Sequence, residues 1–339
     1  MSYLSKIKSN KLKQFIMLLQ GDPGCGKSTM ANQIPDTLYL GIESIGLVRD
    51  NLIDKNDIPN YNALLEILTE IRDDPEFAFK SIVLDSATAI NRLMENHILD
   101  KYTINGNRPT SIIDENNRDL NFGKGEKILD RMWNDFMDLL IEIREIHNVR
   151  ITLIAHQVKT QITNSMEEQT ITKEVADVNK RCLNKILASC DLVCALEKVY
   201  KLKNYGAAFR GNQKKMVKEE TVVIRMNSQY VLGKVRDIYL NKELIKDNII
   251  TLKNEAGEDE EFDLGEYPLP NKDTMYADFE KLINPTLRLT GDSTFTKNSP
   301  EEVSKMKEKT VAAEPKRKRR IAEELEEEEE EGDVADTNN

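Results

Sequence analysis

One stretch constrains this chain more than any other: Gly21-Asp22-Pro23-Gly24-Cys25-Gly26-Lys27-Ser28-Thr29. It fits G-x-x-x-x-G-K-[ST], the P-loop or Walker A pattern. A glycine-rich turn lets backbone N–H groups point inward at a triphosphate, and the following helix adds its positive N-terminal end. In such a loop Lys27 would reach the β- and γ-phosphates and the Ser28 hydroxyl would ligate Mg²⁺, so ATP and Mg²⁺ are the expected cofactors. At Cys25 the backbone matters more than the thiol. Context agrees with the motif. Residues 15–19 read as a buried strand running into the loop, and residues 28–34 as a short helix stopped by Pro35.

Further apolar strands end in polar residues. Residues 37–42 form one, closed by Glu43. A carboxylate at the C-terminal end of a parallel strand lies beside the nucleotide crevice, where it would orient or deprotonate water. From position alone a solvated loop glutamate fits as well. Residues 81–85 form another, closed by Asp85. Downstream of a P-loop this is the Walker B arrangement, with Asp85 holding the Mg²⁺ shell through water and Ser86 adding a hydrogen bond there. Residues 149–155 form a third, closed by His156 and Gln157, two side chains facing the same crevice, one of them placed to sense a γ-phosphate.

Between the strands, helical spacing runs through 60–73, 87–99, 126–147 and 179–188. The stripe Trp133, Phe136, Met137, Leu140 and Ile143 reads as core. His97 reads as a packed or boundary residue, and His147 as a partner for the C-terminal end of its own helix. The connection 101–125 is long enough to be functional or mobile, and the polar stretch 158–180 reads as a mobile loop attached to His156-Gln157. Another strand covers 191–196. Residues 200–218 then hold six basic residues and no acidic one, interleaved with Tyr200, Tyr205 and Phe209. Cations for phosphates with rings for bases suit a single-strand binder; a solvated basic hairpin suits the pattern equally. Residues 221–226 and 230–236 are expected to pair through a turn at 227–229.

The expected organisation is a core over 1–240, a small appendage over 241–285 with a hairpin and a closing helix at 273–283, and a disordered tail over 286–339. The tail carries the basic run 316–320 and an acidic run 323–331. The basic run reads as a nuclear signal, a nucleic-acid contact, or a loose partner of the acids beside it. The net charge of −11 belongs mostly to the tail, since 321–339 hold ten acidic residues and no basic ones. The rest of the chain is close to neutral, which leaves room for a local basic surface. No apolar run approaches the ~18 residues of a membrane span. Cys25, Cys182, Cys190 and Cys194 form no C-x-x-C and have no histidine nearby in sequence, so reduced thiols, no zinc site and a cytoplasmic location are expected.

In this order the parts resemble the RecA-like P-loop ATPases, and more closely a phage nucleotide-binding family that includes the Sak-type single-strand annealing proteins. The resemblance covers roughly residues 12–240. It rests on Gly21–Ser28, Ile82–Ser86, Phe122-Gly123-Lys124-Gly125, Ala155-His156-Gln157 and Lys234-Val235-Arg236. It implies an α/β, RecA-like core with a mainly parallel sheet, and a DNA-stimulated ATPase that binds single-stranded DNA and promotes annealing in the cytoplasm of a bacterial host. It also implies site roles. Glu43 would activate water, and Gln157, in a segment similar to the recombinases' Asn-Gln-Val, would sense the γ-phosphate. The loop that follows is similar to a DNA-binding loop, though it carries few cations here. By pattern alone Lys234 and Arg236 read as an ordinary pair of exposed basic residues; the resemblance implies fingers across a subunit interface, and so a homo-oligomeric ring or filament. The acidic tail resembles those of phage single-strand-binding proteins, which use them to recruit partners or to compete with DNA. Two rival readings remain at this level: a nucleotide-gated scaffold or loader with little hydrolysis, and an NTPase acting on protein.

Overall fold

Alternate residues of the strand entering the P-loop belong to two different cores. Ile16 and Leu18 face one and Phe15, Met17 and Leu19 the other, all but fully buried. A strand covered on both faces needs an unbroken apolar run rather than a polar/apolar alternation, which is how 15–19 reads. The computed structural model describes residues 14–43, 51–164, 169–204, 216–225, 245–246, 249–253, 259–263, 267–269, 271–283 and 298–307.

In chain order the elements are β1 (Ile16–Gly21), α1 (Lys27–Asn32), β2 (Thr37–Gly41), β3 (Leu52–Ile53), α2 (Tyr61–Asp73), β4 (Ser81–Asp85), α3 (Ala87–Lys101), α4 (Lys124–His147), β5 (Arg150–Asn164), β6 (Gln169–Ala176), α5 (Lys180–Ser189), β7 (Leu192–Asn204) and β8 (Met216–Arg225). After these come β9 (Ile245–Lys246), β10 (Ile249–Lys253), β11 (Asp259–Asp263), β12 (Tyr267–Leu269) and α6 (Met275–Ile283). The main sheet runs β12-β8-β7-β1-β5-β4-β2-β3. Pairing is parallel from β7 through β1, β5, β4 and β2 to β3. The C-terminal ends of these strands therefore share one edge. Helices α2 to α5 pack on one face, bringing Leu64, Leu68, Ile90, Met94, Trp133, Phe136 and Ile186 into the first core. Helices α1 and α6 pack on the other, with Met30, Ile34, Met275 and Phe279. This is an α/β architecture with a mainly parallel sheet covered by helices on both faces. Among the described residues no helix is long and apolar enough to cross a membrane.

Buried polar groups fix the packing. Asp191, 2% exposed, accepts from the Ile16 amide at 3.0 Å and from Arg144 at 2.8 Å, which ties the start of β7 to β1 and α4. Asn91 on α3 accepts from Trp133 Nε1 at 3.0 Å and from the Asn179 amide at 3.3 Å, and donates to Glu95 at 2.8 Å.

Several expectations need correction. The polar stretch after Gln157 is not a loop. β5 continues to Asn164 and pairs antiparallel with β6, Gln157 opposite Ala176. The strand expected over 221–226 is the end of β8, which is bonded to β7 along its length and to β12 through 222–224; its expected partner, 230–236, lies outside the described residues. His147, 1% exposed, also reaches the end of α2, where Nε2 donates to the Arg72 carbonyl at 3.2 Å, and packs on Phe77. Part of the expected tail is helical at 300–307. Val303 there is 1% exposed, the Asn298 amide side chain donates to the carbonyls of Glu145 and Ile146, and Lys307 donates to the Asp73 carbonyl at 2.9 Å.

Within 241–285, β9, β10 and β11 form their own antiparallel sheet, while β12 and α6 join the main body. His97 is half-buried, edge-on to Tyr61 at 5.7 Å. The four cysteines are buried and none is bridged to another. Lys214, Lys215, Tyr205, Phe209, the turn at 227–229, Lys234, Arg236 and the runs 316–320 and 323–331 lie outside the described residues.

Candidate active site

The loop between β1 and α1 has the shape its sequence demands. Gly21 approaches β7 so closely that a Cβ there would lie 2.4 Å from the Leu196 carbonyl oxygen. Gly26 opens α1 with φ +105°, in the left-handed region that L side chains avoid. Lys27 is 5% exposed, and its ammonium donates to the carbonyls of Gly21 at 2.8 Å and Asp22 at 2.9 Å, beside Cys25 Sγ at 3.9 Å. Burial pushes the Cys25 thiol above its usual range even against the nearby Lys27 cation, so this is not a reactive thiolate.

Two other strand ends, those of β2 and β4, and the middle of β5 meet the loop. Parallel register sets Gly21 of β1 opposite His156 of β5, and Asp85 of β4 opposite Gly41 of β2 and Ile154 of β5. Ser28 Oγ donates to Asp85 Oδ2 at 2.7 Å, and the Tyr39 hydroxyl donates to the same oxygen. Tyr39, 1% exposed on β2, was not singled out by sequence reasoning. A tyrosine in an apolar strand carries no local signal that its hydroxyl meets a carboxylate on the neighbouring strand. Ser86, by contrast, is spent on structure: fully buried, it accepts from the Ala89 amide at 3.2 Å as the N-cap of α3.

Glu43 follows directly on this group, its amide donating to the Asp85 carbonyl at 3.2 Å. Its carboxylate lies 3.3 Å from His156 Nε2, both side chains 30% exposed. The His156 amide donates to Thr88 Oγ1, and its carbonyl accepts from the Asp177 amide. Gln157, 9% exposed, is the next residue and begins the β5–β6 hairpin. The structure thus brings Lys27, Ser28, Asp85, Glu43, His156 and Gln157 to one edge of the sheet. Lys234 and Arg236, the remaining candidates, lie outside the described residues.

These residues suit the cofactors that the motif implies. Ser28 and Asp85 supply hard oxygen donors 2.7 Å apart, as a Mg²⁺ shell requires, while the buried Lys27 cation sits at the loop that would hold phosphates. His156 Nδ1 is buried with no hydrogen-bond partner among the described residues, a polar atom at the crevice still to be satisfied. A cavity of about 560 Å³ between α2, α3 and α4, lined by Tyr61, His97 and Met132, shares no residue with this site.

The fold and the loop define a P-loop nucleotide-binding protein with a mainly parallel α/β core. The family described as AAA domain matches residues 13–231, and the chain belongs to it. It is a P-loop ATPase, and membership implies nucleotide binding, typically with Mg²⁺. Among solved structures it is similar to the RadB recombinase, at 16% identity over 62% of this chain and 80% of that one, with a TM-score of 0.34. It is also similar to the flagellar accessory protein FlaH from Methanocaldococcus jannaschii, at 10% identity over 79% of this chain and 95% of that one, with a TM-score of 0.31. No curated protein sequence matches it.

Proposed function

We propose that the protein hydrolyses ATP with Mg²⁺ and couples this to single-stranded DNA, promoting annealing or recombination in the manner of the Sak-type phage proteins it resembles. The observation that carries the reading is the convergence of Lys27, Ser28, Asp85, Glu43 and His156 at the strand ends from which the β5–β6 hairpin grows. Ser28 and Asp85 would hold Mg²⁺, which would supply charge stabilisation for phosphoryl transfer, and Lys27 would neutralise phosphate charge. Glu43 orients the attacking water, and Gln157 relays occupancy to the hairpin.

The DNA arm has support of its own. Phe122, 94% exposed at φ +51°, stands at the entry of α4 beside Lys124. The Arg181 guanidinium reaches the Gly123 carbonyl at 3.4 Å. An exposed ring next to Lys124 and the Arg181–Glu126 pair offers a face for base stacking with cations close by for phosphates. A single-strand-binding protein is the natural partner for the acidic tail.

The test is a filter-binding titration with single-stranded DNA with and without ATP, run beside a turnover assay. DNA-stimulated turnover supports the reading. In Phe122→Ala, DNA affinity falls while ATP affinity stays. Lys214→Ala/Lys215→Ala flattens the salt dependence of binding, because fewer counterions are released. Turnover indifferent to DNA in the intact chain overturns the DNA arm and leaves an NTPase acting on protein or a nucleotide-gated scaffold.

A further inference from the structure

The family match ends at residue 231, yet a segment well beyond it packs on the P-loop. β12 returns to the main sheet against β8, with Tyr267 opposite Ile224 and Leu269 opposite Val222. α6 then lies on α1. Met275, 1% exposed, places its Cε 3.2 Å and its Sδ 3.5 Å from where a side chain on Gly26 would begin. Gln33, which caps the C-terminal end of α1, clasps the start of α6 from both sides: its Nε2 donates to the Lys272 carbonyl at 2.5 Å and its Oε1 accepts from the Tyr276 amide at 2.8 Å. Further along, the Arg150 guanidinium lies 5.6 Å from the Tyr276 ring centroid and 3.7 Å from Glu280.

We propose that α6 is a wall of the nucleotide site and that Met275 is a positioning residue for the P-loop: docking of α6 on α1 and binding of ATP reinforce one another. This rests on reading Gly21–Thr29 as an ATP site. Gly26 has no side chain to hold its left-handed backbone, so the loop there is stabilised by what packs on it, and the methionine thioether fills that place. A loop free to relax must be ordered again when a nucleotide arrives, and that cost weakens binding. Linkage makes the effect reciprocal: whatever loosens α6 weakens ATP, and ATP tightens α6 by the same factor. Through β12 and the chain that leads into it, the C-terminal segment becomes a reporter of nucleotide state.

The experiment uses the full chain. ATP affinity is measured by calorimetry for the parent, Met275→Ala, Met275→Leu and Gln33→Ala, and hydrogen exchange of the parent is followed with and without ATP and Mg²⁺. Thermal melts establish that each variant is folded. Met275→Ala and Gln33→Ala are expected to bind ATP about fivefold or more weakly, at the lower end of measured couplings between linked sites, with Met275→Leu close to the parent. ATP is expected to slow exchange across 271–283. If Met275→Ala fails to fold, Gln33→Ala and the exchange experiment still decide. ATP binding by the parent with no change in exchange over 271–283, or unaltered affinity in the folded variants, overturns the proposal while leaving the P-loop reading intact. No ATP binding by the parent overturns both.

Discussion

Asp85 shows how little a motif says about the geometry that makes it work. Its Oδ2 accepts from Ser28 and from Tyr39, so the carboxylate is oriented from the P-loop and from β2 at once. The Tyr39→Phe variant, with one of these donors removed, should bind ATP normally but require several-fold more Mg²⁺ for half-maximal turnover, measured by titrating Mg²⁺ at saturating ATP. Glu43 makes a sharper prediction. If it orients water, Glu43→Gln keeps ATP affinity and loses turnover about 10²-fold or more. Equal turnover would return Glu43 to being a loop residue that happens to meet His156. Lys27, Ser28 and Asp85 were legible because chemistry fixes their spacing or their place at a strand end. The Tyr39 contact and the Glu43–His156 pair were not, because each joins residues on different strands.

At the scale of elements, the missed hairpin is instructive. Residues 158–164 and 169–175 mix Lys, Thr, Gln and Glu with scattered Val and Ile, which reads as loop. Apart from β5's own continuation into the sheet, the ribbon pairs with no other strand among the described residues, so its sequence need not alternate as a half-buried strand does. The helices were legible for the opposite reason: α2 and α4 each lay a wide apolar stripe on the sheet. What locks them is a polar group that periodicity does not reveal. Asn91 accepts from Trp133 and from the Asn179 amide, and removing its side chain leaves the buried Trp133 donor and the part-buried Asn179 amide without it. Asn91→Ala should destabilise the fold by about 2–4 kcal/mol, summing roughly the cost of two unsatisfied donors, as read from urea denaturation.

At the scale of the molecule, the nucleotide edge and the anchored tail segment stand at opposite ends of the strands. Residues 298–307 hold the C-terminal ends of α2 and α4, which lead into the starts of β4 and β5. Burial alone would raise the pKa of Asp73, but the Arg72 hydrogen bond and the charges of Arg72 and Lys307 outweigh it and hold the carboxyl below its usual range. A depressed carboxylate contributes stability present above its unfolded pKa and lost as pH falls through the folded one, so the docking of 298–307 should weaken below about pH 4. Hydrogen exchange over this segment, corrected for intrinsic rates, would show the loss, and Lys307→Met should make it shallower. Assembly is tested by mixing. If Lys234 and Arg236 reach a neighbour's site, Arg236→Ala retains ATP binding and loses most turnover, and adding Lys27→Ala protein restores part of it. Such a shared site needs a head-to-tail interface, and so a ring or filament. A monomer with full turnover, or no rescue at any ratio, would place those cations elsewhere.

The sequence alone determined the P-loop, the buried strands, the amphipathic helices and the strand-end residues, because local spacing and unbroken apolar runs encode them directly. Tertiary structure decided which strands are neighbours, and so which side chains meet. Tyr39 reaches Asp85 because β2 lies beside β4. Glu43 reaches His156 although more than a hundred residues separate them. Met275 reaches Gly26 because β12 carries the chain back to the sheet after a long excursion. Contacts at such separation are set by sheet order, and no period or motif within a short window of sequence specifies that order.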